Sequence, residues 1–131
     1  MSYQNLLVWK ESYQLTKAVY TLTSHFPDHE RYGLVSQMRR SAFSISCNLA
    51  EGAGRFGANE LNHFCSIALG SASELEVQLM LTKDLRLAPE SSIDECVNKL
   101  QFVLRLLHGF RKKVHRPQTS VRKPRPSVIG P

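Results

Sequence analysis

From Asn5 to Phe26 the chain runs without a glycine or a proline, and its apolar residues return every three or four positions. Leu6, Trp9, Tyr13, Thr16 and Tyr20 form one series; Leu15, Val19, Leu22 and Phe26 form a second. A period near 3.6 residues puts each series on one face of an α-helix. Two apolar stripes are more than one packing face needs, which leaves the second available to another subunit. Asn5 is placed to cap this helix and Pro27 to stop it.

The same grammar repeats three times. After Asp28, a residue suited to an N-cap, Leu34, Met38, Ala42, Ile45 and Leu49 make a stripe, with Gly33 in the first turn. Gly52 then stands where a left-handed C′ glycine would end the helix. A third stripe follows through Leu61, Phe64, Ala68, Ala72, Leu75, Leu79 and Leu85, and Pro89 closes its segment. Its middle, "SIALGSAS", is rich in small side chains that suit a close crossing with a neighbouring helix, although Gly70 costs roughly 1 kcal/mol of helix stability relative to Ala. Ser92-x-x-Glu95 reads as a capping box for a fourth helix carrying Ile93, Val97, Leu100, Leu104 and Leu107, with Val103 and Phe110 beside them. This helix is expected to fray near Val114. No alternating run bounded by turn signals competes, so the pattern predicts an all-α fold, an antiparallel up-down four-helix bundle over residues 1–114. Residues 115–131, proline-rich and basic, are expected to form a mobile tail.

At 131 residues, 42% of them hydrophobic, the chain is long enough for one domain with its own core. No apolar run approaches the roughly 18 residues that cross a bilayer. The opening residues lack the basic and apolar regions of a secretory signal. Both points favour a cytoplasmic protein without a membrane partner. Cys47, Cys65 and Cys96 are odd in number and widely spaced, and each lies in an apolar helical context, so buried free thiols are expected rather than zinc ligands or disulfides.

Gly52-x-Gly54-x-x-Gly57 has the letters of a dinucleotide-binding loop. That loop works where a strand delivers it to a helix N-terminus, and here a helical segment precedes it. Glu74 and Glu76 fall at the spacing of the ribose-binding acid, but in the middle of a helical pattern. The glycines are therefore read as a helix end and a sharp turn. A weaker function survives: Arg55, beside the start of the third helix, is placed to hold a phosphate.

Glu60-x-x-His63 resembles half of a di-metal helix motif, but the chain has no second copy, and His25 and His29 lack a third ligand. No nucleophile lies in a recognisable elbow. No catalytic residue, metal or cofactor is expected, and the chain is read as a non-enzyme. Arg39 and Arg40 lie off their helix's apolar stripe, where they either pair with Glu51, Glu74 or Glu76 across helices or protomers, or contact phosphates.

Charge carries the strongest binding signal. Up to Phe110 the chain holds ten Lys and Arg against eleven Asp and Glu; beyond it lie the remaining seven cations and no acid. Those seven, Arg111, Lys112, Lys113, Arg116, Arg122, Lys123 and Arg125, can neutralise phosphates without reading sequence. No aromatic stacking platform or recognition helix is evident, so no preference for one nucleic-acid sequence is expected.

Three motifs occur in order: "L-VWK", "FP--ERYGL--Q-RRSA-SI--N-AEG-GR" and "IA-GS--ELE-QL". Together they make residues 3 to 110 resemble the 23S rRNA intervening-sequence proteins. The resemblance implies an up-down four-helix bundle that assembles as a ring-shaped homopentamer. It implies no catalytic residues. Relatives of that family act as accessory proteins beside reverse transcriptases in diversity-generating retroelements. Two departures stand out: the body is nearly neutral, and Cys47 stands where members often have proline. The resulting expectation is a non-enzymatic oligomer that binds RNA or DNA electrostatically as a scaffold or accessory to a nucleic-acid enzyme. The alternative is a protein-binding ring whose partner docks on the small-residue or second apolar face; a hydrolase or metal-dependent site between protomers ranks behind both.

Overall fold

The structure is a computed structural model and describes residues 3–55 and 57–114, apart from the side chains at 58 and 112–114. Four helices dominate: α1 (Leu7–Thr23), α2 (Ser36–Ala53), α3 (Ala58–Asp84) and α4 (Glu90–Val114). No strand occurs among the described residues. The expected tail at 115–131 lies outside them.

Polar contacts between helices give the topology. Thr16 Oγ1 donates to the Ala42 carbonyl at 3.1 Å, while Arg39 Nε donates to Thr23 Oγ1 at 2.9 Å. The Ser44 and Ser71 hydroxyls lie 2.8 Å apart, and Thr82 Oγ1 lies 3.5 Å from Met38 Sδ. Gln101 Nε2 donates to Glu76 at 2.8 Å, and Lys83 Nζ to Asp94 at 3.2 Å. In each helix pair the partner numbers run in opposite senses, so neighbours are antiparallel. α4 also packs against α1 and closes the bundle.

The predicted stripes supply the core, with one reversal in α1: the series expected to be free for another subunit, Leu15, Val19, Leu22 and Phe26, is buried, while Tyr13 and Tyr20 of the other series are exposed. Leu15, Val19, Met38, Ala42, Ile45, Leu49, Ala68, Ala72, Leu75, Leu100, Val103 and Leu107 are fully buried. Removing this apolar surface from water is the main term favouring the compact state. α2 packs most extensively on α3, where Ala42, Ala68 and Ala72 let the helices approach. The small-residue segment is used as expected, with one exception: Gly70 is exposed, and a Cβ there would meet nothing.

Helix ends differ from the sequence reading, and in most cases backbone geometry replaces a side-chain cap. Asn5 does not cap α1. It ends a 3₁₀ turn over Tyr3–Asn5, and Leu6 takes the cap position, its carbonyl accepting from Lys10 N at 3.0 Å. Tyr3 folds back edge-on to Trp9, which stacks on Tyr13, each pair of rings 5.1 Å apart. Asp28 is not an N-cap either; it begins a 3₁₀ turn over Asp28–Glu30 that passes through a π-turn over Arg31–Val35 into α2. Ser92 lies inside α4, whose first bonds run from Ser92 N and Ile93 N to the Pro89 carbonyl.

Gly52 is helical rather than left-handed, because α2 continues to Ala53. Its role is close approach: a Cβ there would sit 2.8 Å from Phe64 Cβ and 3.1 Å from Leu61 Cδ1 of α3. The positive φ falls on Gly57, at 104°, immediately before α3. α3 ends before Pro89, at a non-glycine residue in the left-handed region, Arg86 with φ 54°. Arg86 N donates to the Lys83 carbonyl and Leu87 N to the Thr82 carbonyl, both at 3.1 Å, which is the Schellman arrangement.

Candidate functional site

α1 ends at Thr23, four residues before the expected stop at Pro27, and the chain re-enters the bundle through the π-turn over Arg31–Val35. A π-turn widens the backbone by one residue and shifts the side chains before it out of register with the helix that follows. Tyr32 is 89% exposed there. Beyond the turn, Ser36, Arg40 and Phe43 follow one another at spacings of four and three, so they share the outer face of α2. Val35 turns inward and is buried.

Across from this face stands Tyr20 of α1. Tyr20, Arg31, Tyr32, Val35, Ser36, Arg39, Arg40 and Phe43 line an open hollow of about 470 Å³. The Arg39 guanidinium lies 4.5 Å from the Tyr20 ring centroid. Besides its bond to Thr23, its Nη2 donates to the Tyr20 carbonyl at 3.3 Å, in the last turn of α1. The positive charge there complements the negative end of the helix dipole. Arg31 lies 5.9 Å from the Tyr32 ring. No carboxylate comes within 4.0 Å of Arg31, Arg39 or Arg40 among the described residues. Asp28 lines an adjacent hollow with Arg31 and Arg39 without closing an ion pair.

The pairing expected of Arg39 and Arg40 with Glu51, Glu74 or Glu76 does not form within the protomer. Arg39 ties α2 to the end of α1, and Arg40 points to solvent. Glu76 accepts from Gln101 instead, and Glu51 from Arg55. Arg55 sits between two acids, 3.0 Å from Glu51 and 3.8 Å from Glu60, and 5.4 Å from the Phe64 ring. The Glu51 hydrogen bond, then its charge, hold the Arg55 pKa above its ordinary value. Both neighbouring carboxylates compete with any phosphate at the start of α3. Arg111 is half-buried on α4. The Lys112 and Lys113 side chains, and Arg116, Arg122, Lys123 and Arg125, lie outside the described residues.

The sequence reading finds no aromatic platform, yet the fold brings Tyr20, Tyr32 and Phe43 to one hollow with three arginines. Two of these aromatics come from separate helices and the third from the π-turn, so no linear spacing reveals the cluster. The available signal was the Arg31–Tyr32 pair followed by Arg40 and Phe43 off the apolar stripe.

Among the described residues, no group of three or more His, Cys, Asp or Glu side chains is placed to hold a metal. His63 packs edge-on against Phe64, 5.3 Å between rings. Cys65 and Cys96 are buried as expected, and burial pushes each thiol pKa up to about 11. Cys47 departs from the expectation by being exposed. No described helix is long and apolar enough to cross a membrane.

Four antiparallel helices around an apolar core, with a basic and aromatic hollow on the outside, define a four-helix-bundle protein. The chain belongs to the 23S rRNA-intervening sequence protein family, which matches residues 4–109. It is also similar to the crystal structure of a protein of unknown function from the S23 ribosomal protein family of Bacteroides thetaiotaomicron. That match has a TM-score of 0.75 at 20% identity and covers 86% of this chain and 99% of the other, a likeness of fold. Comparison with curated proteins finds no match.

Proposed function

We propose that this protein is a non-enzymatic, oligomeric helical bundle that binds RNA or DNA electrostatically in the cytoplasm, as a scaffold or accessory to a nucleic-acid enzyme such as a reverse transcriptase. One observation carries the reading. Every Asp and Glu lies in the first 110 residues, and the last 21 hold seven cations and no acidic side chain. A polyanion meeting that segment releases counterions without meeting a repelling charge. Arg31 and Arg40, without a carboxylate partner among the described residues, add positive charge on the body.

Self-association has separate support. Part of the outer side of α3 is apolar: Ile67, Val77, Met80 and Leu81 are exposed, with Leu85 just beyond its end. Such an exposed apolar stretch is suited to packing against another subunit. A homopentamer is the assembly implied by the family resemblance, and it would present several basic segments together, adding avidity to individually weak contacts.

The test compares the full chain with a chain in which Arg116, Arg122, Lys123 and Arg125 are glutamines. Binding to unrelated single-stranded RNA is measured across salt concentration. The expected wild-type slope of log K against log salt is steep, changing by about 0.7 for each phosphate contacted, and the substituted chain loses most of it. Equal binding by both chains contradicts the role of the basic segment. Binding by neither leaves the outer face of α3 as a protein-docking surface.

A further inference from the structure

We propose that the hollow between the end of α1 and the start of α2 is a binding site for a short unpaired stretch of nucleic acid. Its bases lie against Tyr32 and Phe43, and its phosphates meet Arg31 and Arg40. The inference rests on the nucleic-acid reading above and gives it a place on the folded body.

Three observations converge. First, large aromatic surface is left in water where the core has no use for it: Tyr32 is 89% and Phe43 53% exposed. An exposed ring offers a flat face to any unstacked base, whatever its identity. Second, Arg31, Arg39 and Arg40 line the same hollow without a carboxylate partner among the described residues. Surface arginines left unpaired on a nearly neutral body make a local anion site rather than a long-range field. Third, the parts are unequally free. Arg39 is held by Thr23 Oγ1, the Tyr20 carbonyl and the Tyr20 ring, so it is a fixed charge at the floor. Arg31 and Arg40 have no such tether and can turn to a ligand.

The chemistry selects the occupant. An acidic peptide satisfies guanidinium groups but has no use for two open rings. A duplex satisfies them too, but keeps its bases stacked and turned inward. A single strand supplies alternating phosphates and free ring faces, the two complements the hollow offers. At about 470 Å³ the space is in the range of roughly 300–1,000 Å³ that small ligands occupy, enough for a base or two rather than a long track.

The experiment uses the full chain and follows fluorescence anisotropy of a labelled oligothymidylate and of a duplex of equal length. Tyr32→Ala with Phe43→Ser is expected to weaken single-strand binding about tenfold, leaving duplex binding within about twofold and the salt slope unchanged. Arg31→Gln with Arg40→Gln weakens both and lowers the single-strand slope by about 1.4, two phosphates' worth. Tyr32→Phe keeps the ring and keeps binding. Thermal melts confirm folding, since the changed side chains are exposed. If wild type binds and the aromatic pair of substitutions changes nothing, this site is wrong and the basic-segment reading stands. Wild-type binding to neither probe defeats both. Two further results overturn the site. One is a fall in light-scattering mass in the aromatic variant, which makes the hollow a subunit interface. The other is displacement of the oligonucleotide by polyglutamate at equal charge, which makes it a general anion site.

Discussion

On its inner face α2 presents Met38, Ala42, Ile45 and Leu49, none measurably exposed; on its outer face it presents Arg40, Phe43 and Cys47 to solvent. The two faces share one backbone and one helical period, yet answer to different physics. Inside, each side chain is surrounded, so its volume and shape are specified by its neighbours. Outside, among the described residues, the Phe43 ring is left exposed and no carboxylate pairs with Arg40. The recognition proposed above is placed on that outer face, where large apolar and basic side chains stand together in water.

That contrast can be strained at several points. The largest effect is expected from Ile45→Ala, which empties a fully buried position. A cost of about 2–5 kcal/mol follows from lost burial plus the cavity left behind. Urea unfolding reads it as a lowered midpoint at unchanged slope, and a shift under about 1 kcal/mol would show that the inner face is looser than described.

Gly52→Ala comes next. The added methyl meets Phe64 Cβ at 2.8 Å, an atom fixed to the α3 backbone, so the helices must separate. Overpacking costs about 1–3 kcal/mol. The better helix propensity of alanine returns up to about 1 kcal/mol. The net change is a loss, read in the same experiment; a gain would mean that Gly52 is merely a weak helix residue.

The thiols give the smallest effect. Cys47, on the outer face, is expected to react with iodoacetamide at pH 8, while Cys65 and Cys96 stay protected until the chain unfolds. Burial raises these two from the ordinary 9.0 to about 11, so the unfolded chain ionises first as pH climbs. Their contribution is intact below pH 9 and is lost between pH 9 and about 11. Labelling counted by mass spectrometry should find one modified cysteine in the native protein; three would contradict the burial of Cys65 and Cys96.

What the sequence reveals divides along the same line. The stripes through Met38 to Leu49 and through Ala68 to Leu79 are legible because burial imposes a period on many residues at once. Single-residue signals fare worse. Asn5, Asp28 and Ser92 have the chemistry of caps, but backbone turns at Leu6, Pro27 and Pro89 settle those ends first. Gly52 looks like a helix stop and instead makes room for Phe64. Arg86 takes a left-handed conformation that its residue type does not advertise. The arginine–aromatic hollow is assembled across α1, the π-turn and α2, so its signal is three-dimensional. The C-terminal charge is legible as composition alone.

The separation of the two faces is tested most directly by measuring melting temperature and oligothymidylate affinity together in two full-length variants, Ile45→Ala and Tyr32→Ala/Phe43→Ser. Ile45→Ala should lower the melting temperature by roughly 7 °C or more, at about 3–4 °C per kcal/mol for a chain of this length. Below its transition it should bind as wild type does. The aromatic variant should melt within a few degrees of wild type and bind about tenfold more weakly. The opposite pattern, with stability lost in the outer variant and affinity intact, would contradict the assignment of structure to one face and recognition to the other.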